Sequence, residues 1–171
     1  MINILSLNEI ENLVLQAAKK IDATPDLFPT YETIEGTARP AVKVDMFGYH
    51  YIISERGALI KHTQTYDINE LLYWIFKDIT SNMASNYELH HRDNDKDFRR
   101  IMFYKQIELL NQIHDNFGAM RQKEISEILQ EHPYDDYASI RADLSKKYRD
   151  DGLSSKDAWE MACKQYPLPS K

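Results

Sequence analysis

Val42-Lys43-Val44-Asp45-Met46-Phe47-Gly48-Tyr49-His50-Tyr51-Ile52-Ile53-Ser54-Glu55-Arg56-Gly57-Ala58 is the stretch that decides the fold class. Val42, Val44 and Met46 alternate with Lys43 and Asp45, the two-residue period of a half-buried strand. Phe47-Gly48 is a turn, and Tyr49 to Ser54 is a run of aromatic and β-branched residues. Arg56-Gly57 turns the chain again, so that Ala58 to Tyr66 returns. Connections this short join antiparallel neighbours. Upstream, Thr30 to Glu35 is β-rich and stops at Gly36. A meander of three or four strands is expected, too small to be stable without a cover.

Helices supply the cover. Ser6 with Glu9 has the spacing of a capping box, and Ile10, Leu13, Val14, Ala17 and Ile21 then recur on one helical face. Pro25 and Pro29 make Asp22 to Pro29 a loop. Asp67 and Glu70 repeat the cap spacing ahead of a long helix, Ile68 to about Tyr87, with Leu71, Leu72, Ile75, Phe76, Ile79 and Met83 inward. A polar break at His90 to Asp95 precedes a second long helix, Lys96 to about Asn116. Its inner stripe is Phe98, Met102, Ile107, Leu110, Ile113 and Phe117, and Gly118 stands where a left-handed terminator belongs. Arg121 to Glu131, Tyr137 to Tyr148 and Ser155 to Tyr166 complete the chain, the last capped by Ser154 with Asp157, ahead of a Pro167-Leu168-Pro169 tail. The expected class is α+β: a small antiparallel meander packed against several α-helices, with a helix-rich C-terminal half, all in one domain over residues 1–171.

With 43% hydrophobic and 28% charged residues, the 171-residue chain has a globular balance and enough length for one core. A net charge of −6 makes phosphate backbones and anionic lipid poor partners and a basic protein a better one. Cys163 is the single cysteine, which excludes an internal disulfide and a thiolate metal cage and fits a reducing compartment. The N-terminal residues Met1 to Ser6 lack the basic and long apolar regions of a secretion signal. The longest apolar run, Leu71 to Phe76, is far too short to span a bilayer.

The densest polar cluster is His90-His91 with Asp93, Asp95 and Asp97. A metal-dependent hydrolase built on His90, His91, Asp93 and Asp97 is one reading of it. The aspartate spacing opens like a calcium loop, but Phe98 and Tyr104 stand where that loop needs Gly and Glu. His91-Arg92-Asp93 echoes a kinase triplet without the residues that follow it in kinases. The blander reading is a solvated interhelical loop with capping aspartates. Arg99-Arg100, inside an apolar helix, suits an internal ion pair with Asp97, Glu55 or Glu88 for one arginine and exposure for the other. Asp135-Asp136 at a helix start is accounted for by the helix dipole, whereas Asp150-Asp151 at a helix end is not. No catalytic set and no cofactor motif emerges, so binding of another macromolecule is expected rather than chemistry.

Glu55-Arg56-Gly57, then Asp67 through Leu71-Leu72-Tyr73-Trp74-Ile75-Phe76, then Asp97-Phe98-Arg99-Arg100 with Phe103, Gln106 and Glu108-Leu109-Leu110, resemble the immunity protein 63 family of bacterial polymorphic toxin systems. The resemblance runs from the Tyr49 strand to Ile113, in the family's order. It implies a cytoplasmic, non-enzymatic protein without a cofactor. Such a protein binds the C-terminal domain of a cognate toxin, as in contact-dependent growth inhibition, and blocks it by occlusion. Toxins of this kind are often nucleases and hence basic, which the acidic balance suits. Within that reading Gly57, Trp74 and Phe103 are fold-makers, and Glu55, Arg56, Asp97, Arg99 and Arg100 form a structural polar network. Toxin contacts are expected on Asp93, Asp95, Glu131, Asp135, Asp136, Asp150 and Asp151. A scaffold domain for some other host protein is the remaining alternative.

Overall fold

The computed structural model describes residues 4–170. The secretion-signal reading touches Met1, Ile2 and Asn3, which lie outside the described residues. Two compact units emerge: one runs up to Met83 and adds Gln106–Ala119, and the other comprises Ala84–Lys105 and the chain from Met120 onward.

The first unit holds helix α1 (Leu7–Ala18), a four-stranded sheet of β1 (Thr30–Tyr31), β2 (Ala41–Asp45), β3 (Gly48–Glu55) and β4 (Ala58–Thr65), and the first turns of α2 (Ile68–His90). It also takes the end of α3 (Arg99–Ile113) and the start of α4 (Phe117–Glu131). The Ser6–Glu9 capping box at α1 is present in both directions, with the Ser6 amide donating to Glu9 Oε2 at 2.8 Å. At α2 the box opens. The Asp67 carboxylate accepts the Asn69 amide, while Glu70 accepts instead from the Thr65 hydroxyl.

Sheet order is β1-β2-β3-β4, with β2, β3 and β4 antiparallel as the short turns require. β1 differs from expectation. It is two residues long and runs parallel to β2, because Glu32, Gly36 and Ala38 all take positive φ and swing the chain around before it re-enters the sheet. The β3–β4 hairpin is closed by Arg56 (φ 50°) and Gly57 (φ 80°), the double left-handed turn whose twist matches the strands. At Gly48 (φ 111°) a Cβ would sit 2.5 Å from the Thr65 carbonyl oxygen, so only glycine lets β3 start there.

The register puts Val42, Val44, Tyr49, Tyr51 and Ile53 on one sheet face, packed in a cluster with Ile10, Val14, Leu71, Ile75, Phe76, Leu110 and Phe117. Burying each such side chain is worth about 1.5–3 kcal/mol. The aromatic group of Tyr49, Tyr51, Tyr73 and Phe76 is core, with Trp74 partly buried against it. Tyr51 donates its hydroxyl to Asp78 Oδ2 at 2.5 Å, which ties sheet to α2, and burial with the nearby Asp78 charge pushes the phenol well above its usual range.

The second unit holds the remainder of α2, α3 and α4 with α5 (Ala138–Asp150) and α6 (Ser155–Gln165). Two readings are corrected here. α3 starts at Arg99, not Lys96, because the Asp97 carboxylate takes the Arg99 amide at 2.9 Å and fixes the helix start there; Phe98 consequently leaves the inner stripe and is 50% exposed. Gly118 lies inside α4 without positive φ. The residue is small because the Asn111 side chain packs against it; a Cβ would come within 2.0 Å of Asn111 Oδ1. The α+β class with a helix-rich second half is as expected from the pattern.

Candidate functional site

A hub of alternating charges occupies the second unit, assembled from the start of α3, the segment before α5, and α5 itself. Asp97 is its pivot. Its Oδ2 accepts from Arg99 Nη2 at 2.6 Å and from the Asp135 amide at 2.9 Å, while its own amide donates to Asp136 Oδ1 at 2.9 Å. Two aspartates 39 positions apart thus hold each other's segments through backbone and side chain together. Arg99 extends the grip by donating to the His132 and Pro133 carbonyls. Arg100 forks onto Asp136 at 2.8 and 2.9 Å and stacks its guanidinium 4.2 Å from the Tyr134 ring.

Arg141 completes the hub from α5. It forks onto Asp135 at 2.8 and 2.9 Å, and its remaining donors take the Tyr166 and Pro167 carbonyls. At 1% exposure it is the largest fully buried side chain among the described residues. An arginine is tolerated there because each donor group has an acceptor, which is the condition for burying a guanidinium.

The electrostatics follow the contacts. Burial pushes the Asp97 carboxyl up, but the hydrogen bonds from Arg99 and from two backbone amides outweigh it and leave the group below the usual carboxylate range. The Arg141 fork lowers Asp135, and the Arg100 fork with the Asp97 amide lowers Asp136 to about 2. Near the end of α2, Arg92 forks onto the buried Glu88 and lowers it likewise.

Beside the hub runs an open groove of about 670 Å³, lined by the last turns of α2, the start of α3 and residues 135–139. Its apolar lining includes Leu89, Phe98 and Met102, with Leu89 63% exposed. The Glu88–Arg92, Asp93–Lys96 and Asp97–Arg99 pairs stand along its walls. Exposed apolar side chains framed by already satisfied charges are the composition of a protein-docking patch.

Of the acidic residues expected to meet a partner, Asp93, Asp135 and Asp136 line this groove. Asp135 and Asp136 spend their carboxylates on Arg141 and Arg100. Asp93 accepts from the Asp95 amide and pairs with Lys96, and Asp95 itself is exposed. Glu131 ends α4, Asp150 ends α5 with Asp151 following, and these three are exposed and do not line the groove. Within the expected polar network, Asp97, Arg99 and Arg100 meet in the hub. Glu55 and Arg56 sit instead on the exposed β3–β4 turn, 3.8 Å from each other. Glu88, a third candidate partner, belongs to Arg92.

His90 and His91 turn their Nδ1 atoms to the Asn86 and Tyr87 carbonyls, each 2.8 Å away in the preceding helical turn, and His91 stacks on Tyr87. Among the described residues no group of three or more His, Cys, Asp or Glu side chains is arranged to hold a metal. Sequence reasoning missed Arg141, Leu89 and the exposure of Phe98. Leu89 carried no signal in its spacing, since it follows Leu71 by 18 residues, about five helical turns, and so repeats that residue's place in the apolar periodicity.

No curated protein and no solved structure matches this chain. A family model does: residues 45–127, just under half of the chain, match the family described as Immunity protein 63. The matched span begins at the end of β2 and ends within α4, and it contains the β3–β4 hairpin, all of α2 and α3, and Asp97, Arg99 and Arg100 of the hub. Over that span the chain carries the Immunity protein 63 pattern, and the resemblance first seen in its motifs is borne out.

Proposed function

We propose that this chain is an immunity protein that binds the C-terminal domain of a cognate bacterial toxin and neutralises it by occlusion, without catalysis. The match to the Immunity protein 63 family carries this reading. The groove supplies the docking face: Leu89, Phe98 and Met102 offer apolar area, and the paired charges around them form a polar rim. Both units serve as one immunity domain, acting in the cytoplasm of the cell that would otherwise be poisoned. Among the described residues no helix is long and apolar enough to cross a membrane, so the reading requires no membrane step. The net charge of −6 favours a basic toxin, of which a nuclease is the leading class, and disfavours direct contact with nucleic acid. Delivery by contact-dependent inhibition or a related polymorphic system is part of the same proposal.

The test is co-expression with the toxin domain encoded beside it, scored by growth rescue and by isolation of a one-to-one complex. Leu89→Ser with Phe98→Ser, both at exposed positions, is expected to leave the thermal melt in place and weaken the complex about thirtyfold, the scale of a lost hot spot. Rescue without any complex would overturn occlusion. A complex untouched by the double substitution would move the docking face elsewhere.

A further inference from the structure

A second polar constellation lies on the sheet face opposite the core. His50 and Ile52 alternate with the buried Tyr49 and Tyr51, and His62 pairs with Ile52 across β3–β4, so both imidazoles emerge on the same outer face. His50 Nδ1 and His62 Nε2 face each other at 3.0 Å. On its other side His50 Nε2 meets Asp45 Oδ1 at 2.9 Å, and that carboxylate is itself fixed by the Phe47 amide at 2.7 Å. With Nε2 engaged by the Asp45 carboxylate, the other ring nitrogen of His50, Nδ1, is directed at His62. The His50 side chain is only 12% exposed, which keeps this orientation, while the His62 ring stands in solvent.

A carboxylate behind an imidazole, with the second ring nitrogen presented outward, is the supporting arrangement of metal-bound histidine. The geometry points to a divalent transition-metal site of the zinc class, with His50 Nδ1 and His62 Nε2 as its two protein ligands and Asp45 as the residue that orients His50. Zinc–nitrogen bonds of about 2.05 Å at a tetrahedral angle set the two nitrogens about 3.3 Å apart, so a small turn of the exposed His62 ring makes room for the ion. Metal replaces the one proton that otherwise joins the two rings. Lys43 is register-paired with His50 on the same face, and its charge offsets that of Asp45. The site therefore holds an ion by imidazole coordination rather than by field, which selects zinc, nickel or copper over magnesium or calcium. The remaining coordination positions face solvent. The pair His90-His91, adjacent in sequence, is not built this way: each Nδ1 faces its own helix carbonyl, and among the described residues no hydrogen bond joins the two rings.

The experiment is calorimetric titration of the tag-free full chain, stripped with chelator, using Zn²⁺ and, separately, Mg²⁺. One Zn²⁺ per chain and no Mg²⁺ is expected. His62→Ala, at an exposed position, is expected to abolish the Zn²⁺ signal, Asp45→Asn to weaken it about 10–100-fold as loss of an orienting carboxylate does, and His90→Ala with His91→Ala to leave it unchanged. In the wild-type chain the ring nitrogen signals of His50 and His62 are expected to move on Zn²⁺ addition, so that the result does not depend on any variant folding. Absence of Zn²⁺ binding, or binding retained by His62→Ala, would overturn the site.

Discussion

The two units are held together by different physics. In the first, the buried side chains form a continuous apolar cluster from Ile10 to Phe117, with a mixed sheet pressed against helices. In the second, the buried apolar residues among those described are Ala84, Phe103, Ile125, Ala158 and Ala162, three of them mere methyl groups, while Glu88, Asp97 and Arg141 are buried beside them. Apolar burial is tolerant: volume and patterning suffice. A charged hub is not, since removing one partner leaves another charge unanswered, and for Arg141 and Asp97 that happens almost out of reach of water. The contrast shows how a helical unit with little apolar core can still specify one arrangement, by making each buried donor answer to one acceptor.

The largest expected effects test this contrast directly. Phe76→Ala and Arg141→Ala should each cost about 3–5 kcal/mol, the first by opening a cavity and the second by leaving Asp135 unpaired. Hydrogen exchange should place the loss in the first unit for Phe76 and in the second for Arg141. Equal loss of protection in both units from either variant would break the comparison. Replacing the pair together, Arg141→Met with Asp135→Leu, should recover most of the loss in a urea melt, as exchanging a buried ion pair for apolar volume does.

Acid supplies the next test. Asp97, Asp135 and Asp136 all have folded pKa values below their unfolded ones. Their contribution is therefore present above the unfolded value near 3.9 and is lost as pH falls through the folded values, for Asp136 down to about 2. The second unit should lose exchange protection in that window ahead of the first. Asp136→Asn, at a half-exposed position, should cost about 1 kcal/mol at neutral pH and shift the acid limb. The smallest effect is expected at Asp95→Lys, within about 0.5 kcal/mol of wild type in stability. Its signature should be a slower association with a basic toxin at low salt, read by stopped flow.

The strands and their turns were legible because a period of two and the Arg56-Gly57 dipeptide are local signals. The α1 box at Ser6 and Glu9 was legible for the same reason. The direction of β1 was not, since three residues of positive φ between Glu32 and Ala38 redirect the chain and two of them are not glycine. The hub was half legible: Asp97, Arg99 and Arg100 stood out as charges within an apolar helix. Arg141 did not, because its partner Asp135 lies six positions away, off any helical neighbour spacing. His50 and His62 were unremarkable in sequence, since only the strand register brings them to one face.

Arg141 reaches forward as well as back, to the carbonyls of Tyr166 and Pro167. During synthesis, every residue assigned to the first unit has been made once Ala119 is in place. Asp135 is in place before the Arg141 guanidinium is made, but the two carbonyl acceptors follow it by 25 and 26 residues. The second unit is thus the part of a nascent chain that stays open longest. A ribosome that stalls short of Tyr166 leaves that cation with the Asp135 fork and without its two carbonyls.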